Sequence, residues 1–147
     1  MFKDFLDRLT APGPTRLPDD DARLALSALL VRVARADGHA DQNELARIDR
    51  ILATRYDLSD AAATDLRREA EALEAEAPDT VRFTRAIKDA VAYEHRIAVI
   101  EALWSVALAD GDRDPAEDSL LRLVTNFLGV TDQDSARARQ RVAARDG

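Results

Sequence analysis

The chain has 147 residues, 46% of them hydrophobic, 5% aromatic and 33% charged, which suits one domain with an Ala/Leu/Val-rich helical interior and a solvated exterior. A net charge of −7 leaves no basic stripe to displace phosphate counterions and argues against nucleic acid, while the lack of cysteine removes disulfides, thiolate chemistry and cysteine-ligated zinc. No segment is long enough to span a bilayer, and Lys3, Asp4, Asp7 and Arg8 stand where a signal peptide would be apolar, so the expected compartment is the cytoplasm.

Residues 1–18 read as a short amphipathic helix and a Pro/Gly linker. Phe2, Phe5, Leu6 and Leu9 fall at helical spacing, and Ala11-Pro12-Gly13-Pro14 separates them from the body. Folding back onto the bundle is the first role expected of this helix, and peripheral contact with a membrane surface or docking to a partner is the alternative. Residues 19–147 read as one helical domain. Asp19-Asp20-Asp21 supply acidic caps for a helix reaching Ala36, and a second helix runs from about Gln42 to Tyr56. Ser59 caps a long, mostly solvated helix with the narrow stripe Leu66, Ala70, Leu73 and Ala77, ending before Pro78. Asp79 or Thr80 starts a short helix with Phe83 and Ile87 inward. After Tyr93, the faces Ile97, Ile100, Trp104, Leu108 and Val99, Leu103, Val106 make the next helix apolar over most of its circumference, and it is expected to be the central one. A helix from Pro115 to Leu128 follows, and Thr131 caps a last helix ending near Arg145, with Arg137, Arg139, Arg141 and Arg145 on its exposed face. No stretch alternates with period two. The expected fold class is therefore all-α, a single-domain bundle of about seven to eight helices.

The stretch Ala36-Asp37-Gly38-His39-Ala40-Asp41-Gln42-Asn43-Glu44 returns, 73 residues on, as Ala109-Asp110-Gly111-Asp112-Arg113-Asp114-Pro115-Ala116-Glu117, and both copies read A-D-G-x-x-D-x-x-E. Leu24, Leu26, Leu30, Val33 and Ala34 match Ile97, Val99, Leu103, Val106 and Ala107 at the same offset, and Ile48 and Ile51 match Leu121 and Val124. The chain is an internal duplication, and its two helix-turn-helix halves are expected to be pseudo-symmetric. Much of the motif is helix punctuation. Gly38 and Gly111 stand where a helix end wants positive φ, Asp41 and Asp114 where the next helix wants an N-cap, Glu44 and Glu117 at the third helical position, and Pro115 at the first.

Punctuation does not explain Asp37 and Asp110, which oppose the helix macrodipole by roughly 0.3–1 kcal/mol each and continue the inward stripes, while Glu44 heads the stripe through Ile48 and Ile51 and Glu117 the one through Leu121, Val124 and Leu128. Carboxylates converging in a partly buried turn repel unless a backbone amide, an Arg, a proton or a cation compensates them. Two readings stay open, local amide capping and a divalent cation at one or both turns. In the second, the ligands are Asp37, Asp41 and Glu44 in the first copy and Asp110, Asp112, Asp114 and Glu117 in the second, where Asp118 adds a further acid. Oxygen donors favour Ca²⁺, Mg²⁺ or Mn²⁺ over Zn²⁺ or Cu²⁺. An EF-hand loop is not the model. Gly111 stands second instead of sixth, and the twelfth position is Leu121 where a bidentate Glu is required. His39 could complete a shell beside Asp37 and Asp41, whereas His95 reads as a capping or surface residue. No triad, HExxH arrangement or phosphate-binding Gly loop accompanies these acids, and no enzymatic activity is expected.

The doubled hairpin, with Glu94-His95-Arg96 opening the second apolar helix and Leu128-Gly129-Val130-Thr131 closing the one after it, resembles the bacterial TerB family of tellurite-resistance and stress-response proteins over roughly residues 22 to 130. A related domain stands at the N-terminus of a membrane-anchored DnaJ-type co-chaperone. Arg55-Tyr56-Asp57-Leu58 departs from the Leu-Gly pair usual in the family. The resemblance implies an all-helical fold of two related halves, acidic residues that bind divalent metal, and no assigned catalysis. The expected function is then a stress-response module that presents a surface to a protein partner and whose acidic turns bind a cation; the alternative is a metal-independent adaptor whose acidic motifs are only caps and whose partner surface lies on an apolar groove between the halves.

Gly38→Ala and Gly111→Ala are each expected to destabilise by about 1 kcal/mol or more in chemical denaturation, because Ala at positive φ strains the backbone. Two neutral substitutions would remove the turn argument.

Overall fold

The computed structural model describes residues 19–36, 42–76, 80–109 and 115–146, so the expected helix at 1–18 and the turn residues 37–41 and 110–114, with Gly38, His39 and Gly111, lie outside the described residues. Among the described residues there are seven α-helices and no strand: α1 Asp19–Ala34, α2 Gln42–Tyr56, α3 Asp60–Glu76, α4 Thr80–Ala90, α5 Tyr93–Ala107, α6 Pro115–Phe127 and α7 Asp132–Asp146. The breaks fall where capping chemistry puts them. Ser59 Oγ accepts from the Ala62 amide at 3.1 Å and Thr131 Oγ1 from the Asp134 amide at 3.1 Å, so each hydroxyl satisfies an orphan donor of the first turn.

The central helix is α1, a correction to the expectation placed on α5. It packs against α2, α3, α4, α5 and α6, whereas α5 packs against α1, α2, α6 and α7. Leu24 to Val31 are buried without a break. Polar residues on α1 are accommodated locally: Ser27 Oγ donates to the Arg23 carbonyl at 2.8 Å, and Arg32 donates to Glu74 Oε1 at 3.3 Å and Thr80 Oγ1 at 3.1 Å. Arg32 thus finds its partners on α3 and α4, in the part of α1 that the other helices cover.

The helix expected to be mostly solvated, α3, is held more firmly than its Glu/Arg pattern suggests. Ala63, Ala70 and Leu73 are fully buried, the two alanines letting α3 lie close on α1 and α2. Arg67 donates to Asp49 Oδ1 at 2.7 Å and also pairs with Glu71, and the hydrogen bond to Asp49 is the main cause that raises its pKa. Ala77, the last residue of the expected stripe, lies outside the described residues.

The duplication is visible in the contacts. Exchanging α1, α2 and α3 for α5, α6 and α7 maps α1·α2 on α5·α6, α1·α3 on α5·α7, α2·α3 on α6·α7 and α2·α5 on α6·α1, with α1·α5 mapping on itself. Leu26, Leu30, Val33 and Ile48 are buried, as are their counterparts Val99, Leu103, Val106 and Leu121. At Ile51 the register slips. Ile51 is only half-buried, and Leu52 takes the fully buried place that Val124 holds in α6.

The slip ends in a shared helix stop. The Leu58 amide bonds to the Ala53 carbonyl at 3.0 Å and the Val130 amide to the Thr125 carbonyl at 3.1 Å, the six-residue closure of a Schellman motif, now 72 residues apart. Its left-handed residue is Gly129 at φ 74° in one copy and Asp57 at φ 54° in the other. Asp57 therefore does the work of the glycine whose absence marked the first half as divergent. Aspartate is among the few L-residues that tolerate this region.

Asp57→Gly is expected to raise stability by a few tenths to about 1 kcal/mol, and Gly129→Ala to lower it by about 1 kcal/mol. A Cβ at Gly129 would come no nearer than 4.0 Å to Arg96 Nη1, so that loss comes from φ and not from crowding. Urea midpoints of the two variants check the pair of signs.

Candidate functional site

Both acidic turns are approached in the same way. At the end of α1 the Arg35 amide bonds to the Val31 carbonyl at 3.0 Å and Ala36 to Val33 at 3.2 Å; at the end of α5, Leu108 bonds to Trp104 at 2.9 Å and Ala109 to Val106 at 3.2 Å. The last turn tightens from i−4 to i−3 bonding at equivalent residues, which presents each turn from the same end geometry. Of the expected ligands, Asp37, Asp41, Asp110, Asp112 and Asp114 lie outside the described residues, and Glu117 is placed only as part of the first turn of α6. Glu44 is described, and it is 1% exposed. It faces inward one turn before Ile48, as the stripe argument requires, so a carboxylate is carried into the interior at the start of α2. Among the described residues no group of three or more His, Cys, Asp or Glu side chains is placed to hold a metal ion. His95 is an exposed residue at the start of α5, its amide bonded to the Ala92 carbonyl at 2.9 Å.

The adaptor alternative puts its partner surface on an apolar groove between the halves, and a groove lies there whose arginines the sequence reading missed. Between α2 and α5 runs an open groove of about 650 Å³, within the range of ligand-binding clefts. Its floor is Ile51, Thr54, Ala98 and Ala102. Arg47, Arg50 and Arg55 stand along the α2 side, Arg145 joins them from α7, and Glu101 is the acid among these lining residues. Arg47 Nη1 donates to Ser105 Oγ across the groove at 2.9 Å, and Glu101 Oε1 accepts from Arg141 Nε at 2.8 Å, so the acid is already drawn toward α7. In a chain of net charge −7 this is a local basic surface. The signal was present in the repeat: 73 residues on from Arg47 and Arg50 stand Leu120 and Leu123, a leucine-to-arginine contrast at two positions one turn apart.

At the C-terminal end of α2 the groove meets an aromatic contact. Arg23 lies over the Tyr56 ring at 4.5 Å and Arg55 at 5.8 Å. The equivalent of Arg23 is Arg96, which donates to the carbonyls of Leu128 at 3.2 Å, Val91 at 3.1 Å and Lys88 at 3.0 Å. One arginine per repeat thus ties the start of an apolar helix to the end of the hairpin's second helix, by ring stacking in the first copy and by carbonyl capping in the second. This gives a structural role to the Arg96 of the Glu94-His95-Arg96 stretch.

A second, smaller recess of about 230 Å³ lies beside Trp104. Trp104 Nε1 donates to Ser135 Oγ at 3.1 Å and Arg139 covers the ring at 5.5 Å, so α7 is pinned to α5 there. No described helix is long and apolar enough to cross a membrane. A family model described as tellurite resistance protein TerB matches residues 23–140, which takes in most of the described helices, both acidic turns and the α2–α5 groove except Arg145. No curated protein and no solved structure matches the chain.

Burial raises the Tyr56 phenol pKa above 10, against the opposing charges of Arg55 and Arg23. The neutral phenol is favoured in the folded state, so its contribution to stability is complete below pH 10 and is lost as pH rises through the elevated value. Spectrophotometric titration is expected to show one of the two tyrosines ionising late, and Tyr56→Phe to remove that phase.

Proposed function

The chain belongs to the TerB family, and from that premise we propose that it is a non-enzymatic stress-response module that acts by presenting the α2–α5 groove to a protein partner. The observation that carries this reading is the basic, apolar-floored groove itself, cut into a molecule of net charge −7. Complementary charge at such a surface speeds association and excludes wrong partners more than it adds raw affinity, which suits a module that must meet one partner among many. Asp49, Glu74 and Glu101 are engaged in holding the bundle together, Asp49 with Arg67, Glu74 with Arg32 and Arg35, and Glu101 with Arg141.

A second reading, in which the acidic turns take Ca²⁺, Mg²⁺ or Mn²⁺, is favoured by the burial of Glu44 directly after the first turn. The ligand set remains Asp37, Asp41, Glu44, Asp110, Asp112, Asp114 and Glu117, an all-oxygen set suited to those ions. Here a cation relieves carboxylate repulsion and tunes the same module for its partner.

The two readings separate in one set of variants. Under the partner-surface reading, Arg50→Glu/Arg55→Glu shifts unfolding by no more than about 0.5 kcal/mol per site, as exposed substitutions do, yet fails to restore growth of a deletion strain under tellurite stress. Full rescue by that variant would remove the groove from function. Under the cation reading, a ligand at one hundred times its Kd raises wild-type stability by about 2.7 kcal/mol in calorimetry, and Asp110→Asn weakens that gain. Equal melting temperatures for wild type in EDTA and in excess Ca²⁺ or Mn²⁺ would remove the cation.

A further inference from the structure

The repeat supplies a template for what the groove holds. Positions on α1 equivalent to Ala98, Glu101 and Ala102 are Ala25, Ala28 and Leu29, all at 0% exposure. On α5, Ala98 is exposed while Glu101 and Ala102 are half-buried. In the first case a further helix lies in the place: α4 packs on both α1 and α6, the pair equivalent to α5 and α2. Arg32, the counterpart of the groove residue Ser105, holds α4 directly, lying over the Phe83 ring at 5.2 Å and donating to Thr80 Oγ1 at 3.1 Å. Phe83, Ala86 and Ile87 form the buried side of α4. The same groove thus exists twice by duplication, and one copy is filled from within the chain by an eleven-residue helix.

We propose that the α2–α5 groove binds an acidic amphipathic helix of a partner protein, seated on α2 and α5 as α4 is seated on α6 and α1. Resting on the partner-surface reading, this adds the occupant's shape and charge. Shape follows from α4: about three turns, with an apolar face at i, i+3 and i+4 meeting Ile51, Ala98 and Ala102. Charge follows from the contrast between the copies. Where α6 has Leu120, half-buried, and Leu123, 44% exposed even with α4 in place, α2 offers Arg47 and Arg50, with Arg55 and Arg145 further along, so the flank of the incoming helix carries carboxylates. The chain's own residues 1–10 are poorly matched in charge, since Lys3 and Arg8 balance Asp4 and Asp7.

The test uses the full chain and a fluorescein-labelled peptide of residues Thr80–Ala90 carrying Arg82→Glu and Arg85→Glu, held helical by a hydrocarbon staple between positions 81 and 88. These stapled positions face outward in α4. A second stapled peptide keeps Arg82 and Arg85. Fluorescence anisotropy is expected to show saturable binding of the acidic peptide, weakened by added salt and reduced roughly tenfold or more by Arg50→Glu/Arg55→Glu in the protein, with the basic peptide much weaker. Equal binding of both peptides, unchanged binding to the double variant, or no binding of the acidic peptide would overturn the proposal. So would binding that appears only after Phe5→Asp/Leu6→Asp, which would assign the groove to the chain's own N-terminal segment. If the acidic peptide fails while the arginine variant still loses growth rescue, the groove remains the partner surface and only the helical, acidic occupant falls. If the peptide binds but the variant rescues growth, the partner-surface reading falls by itself.

Discussion

One constraint orders the bundle: α1 is apolar on every side and must be covered on every side. Five helices meet it, and the unbroken burial from Leu24 to Val31 leaves no face for solvent. Each large aliphatic side chain buried there is worth roughly 1.5–3 kcal/mol relative to exposure, so the order of packing is dictated by α1 before any polar contact is made. The polar groups that remain are satisfied at short range. Ser27, Thr84 and Thr125 each return their hydroxyl to a carbonyl one turn back, at 2.8, 2.7 and 2.7 Å, and so enter the core without needing a partner from another helix.

Much of this was legible in the chain itself. Helix positions followed from apolar spacing together with Ser59, Thr131 and Pro115 as start signals, and the A-D-G-x-x-D-x-x-E repeat exposed the duplication. The identity of the central helix was not legible, because α5 has the more obvious hydrophobic girdle while α1 hides Arg32 in an ion pair that only tertiary packing with Glu74 reveals. Asp57 looked like a break in the pattern for a similar reason. A residue type does not announce its φ, and the Schellman closure at Leu58 was needed to show that aspartate stands in for glycine. Of the acidic site, sequence predicted correctly that Glu44 turns inward; of the groove it gave only a place between the halves, because Arg47 and Arg50 were not compared with Leu120 and Leu123 in the other copy.

Duplication followed by divergence explains the asymmetry between the halves. The connecting segment contains α4, which has only one of two equivalent grooves to fill, and the side chains have adapted to each situation. Ala28 and Leu29 line the covered place, Glu101 and Ala102 the open one, and α2 carries arginine where α6 carries leucine. Leu123 is 44% exposed in the filled copy, and arginine at the equivalent place on α2 keeps the open groove wet while leaving an apolar side with which a partner's face can mate.

The way α7 is attached has a dynamic consequence. Its principal contacts are to α5 and α6 alone, made through small buried residues, Ser135, Ala138 and Val142, together with the Trp104 hydrogen bond. It buries fewer apolar side chains than α1, so the amides of α7 are expected to open at lower free energy than those of α1, which lies under five helices. Because Arg145 and Arg141 ride on α7, each such opening also withdraws one arginine from the rim of the α2–α5 groove and frees Glu101, so the groove's charge fluctuates with the hydrogen-exchange clock of the terminal helix.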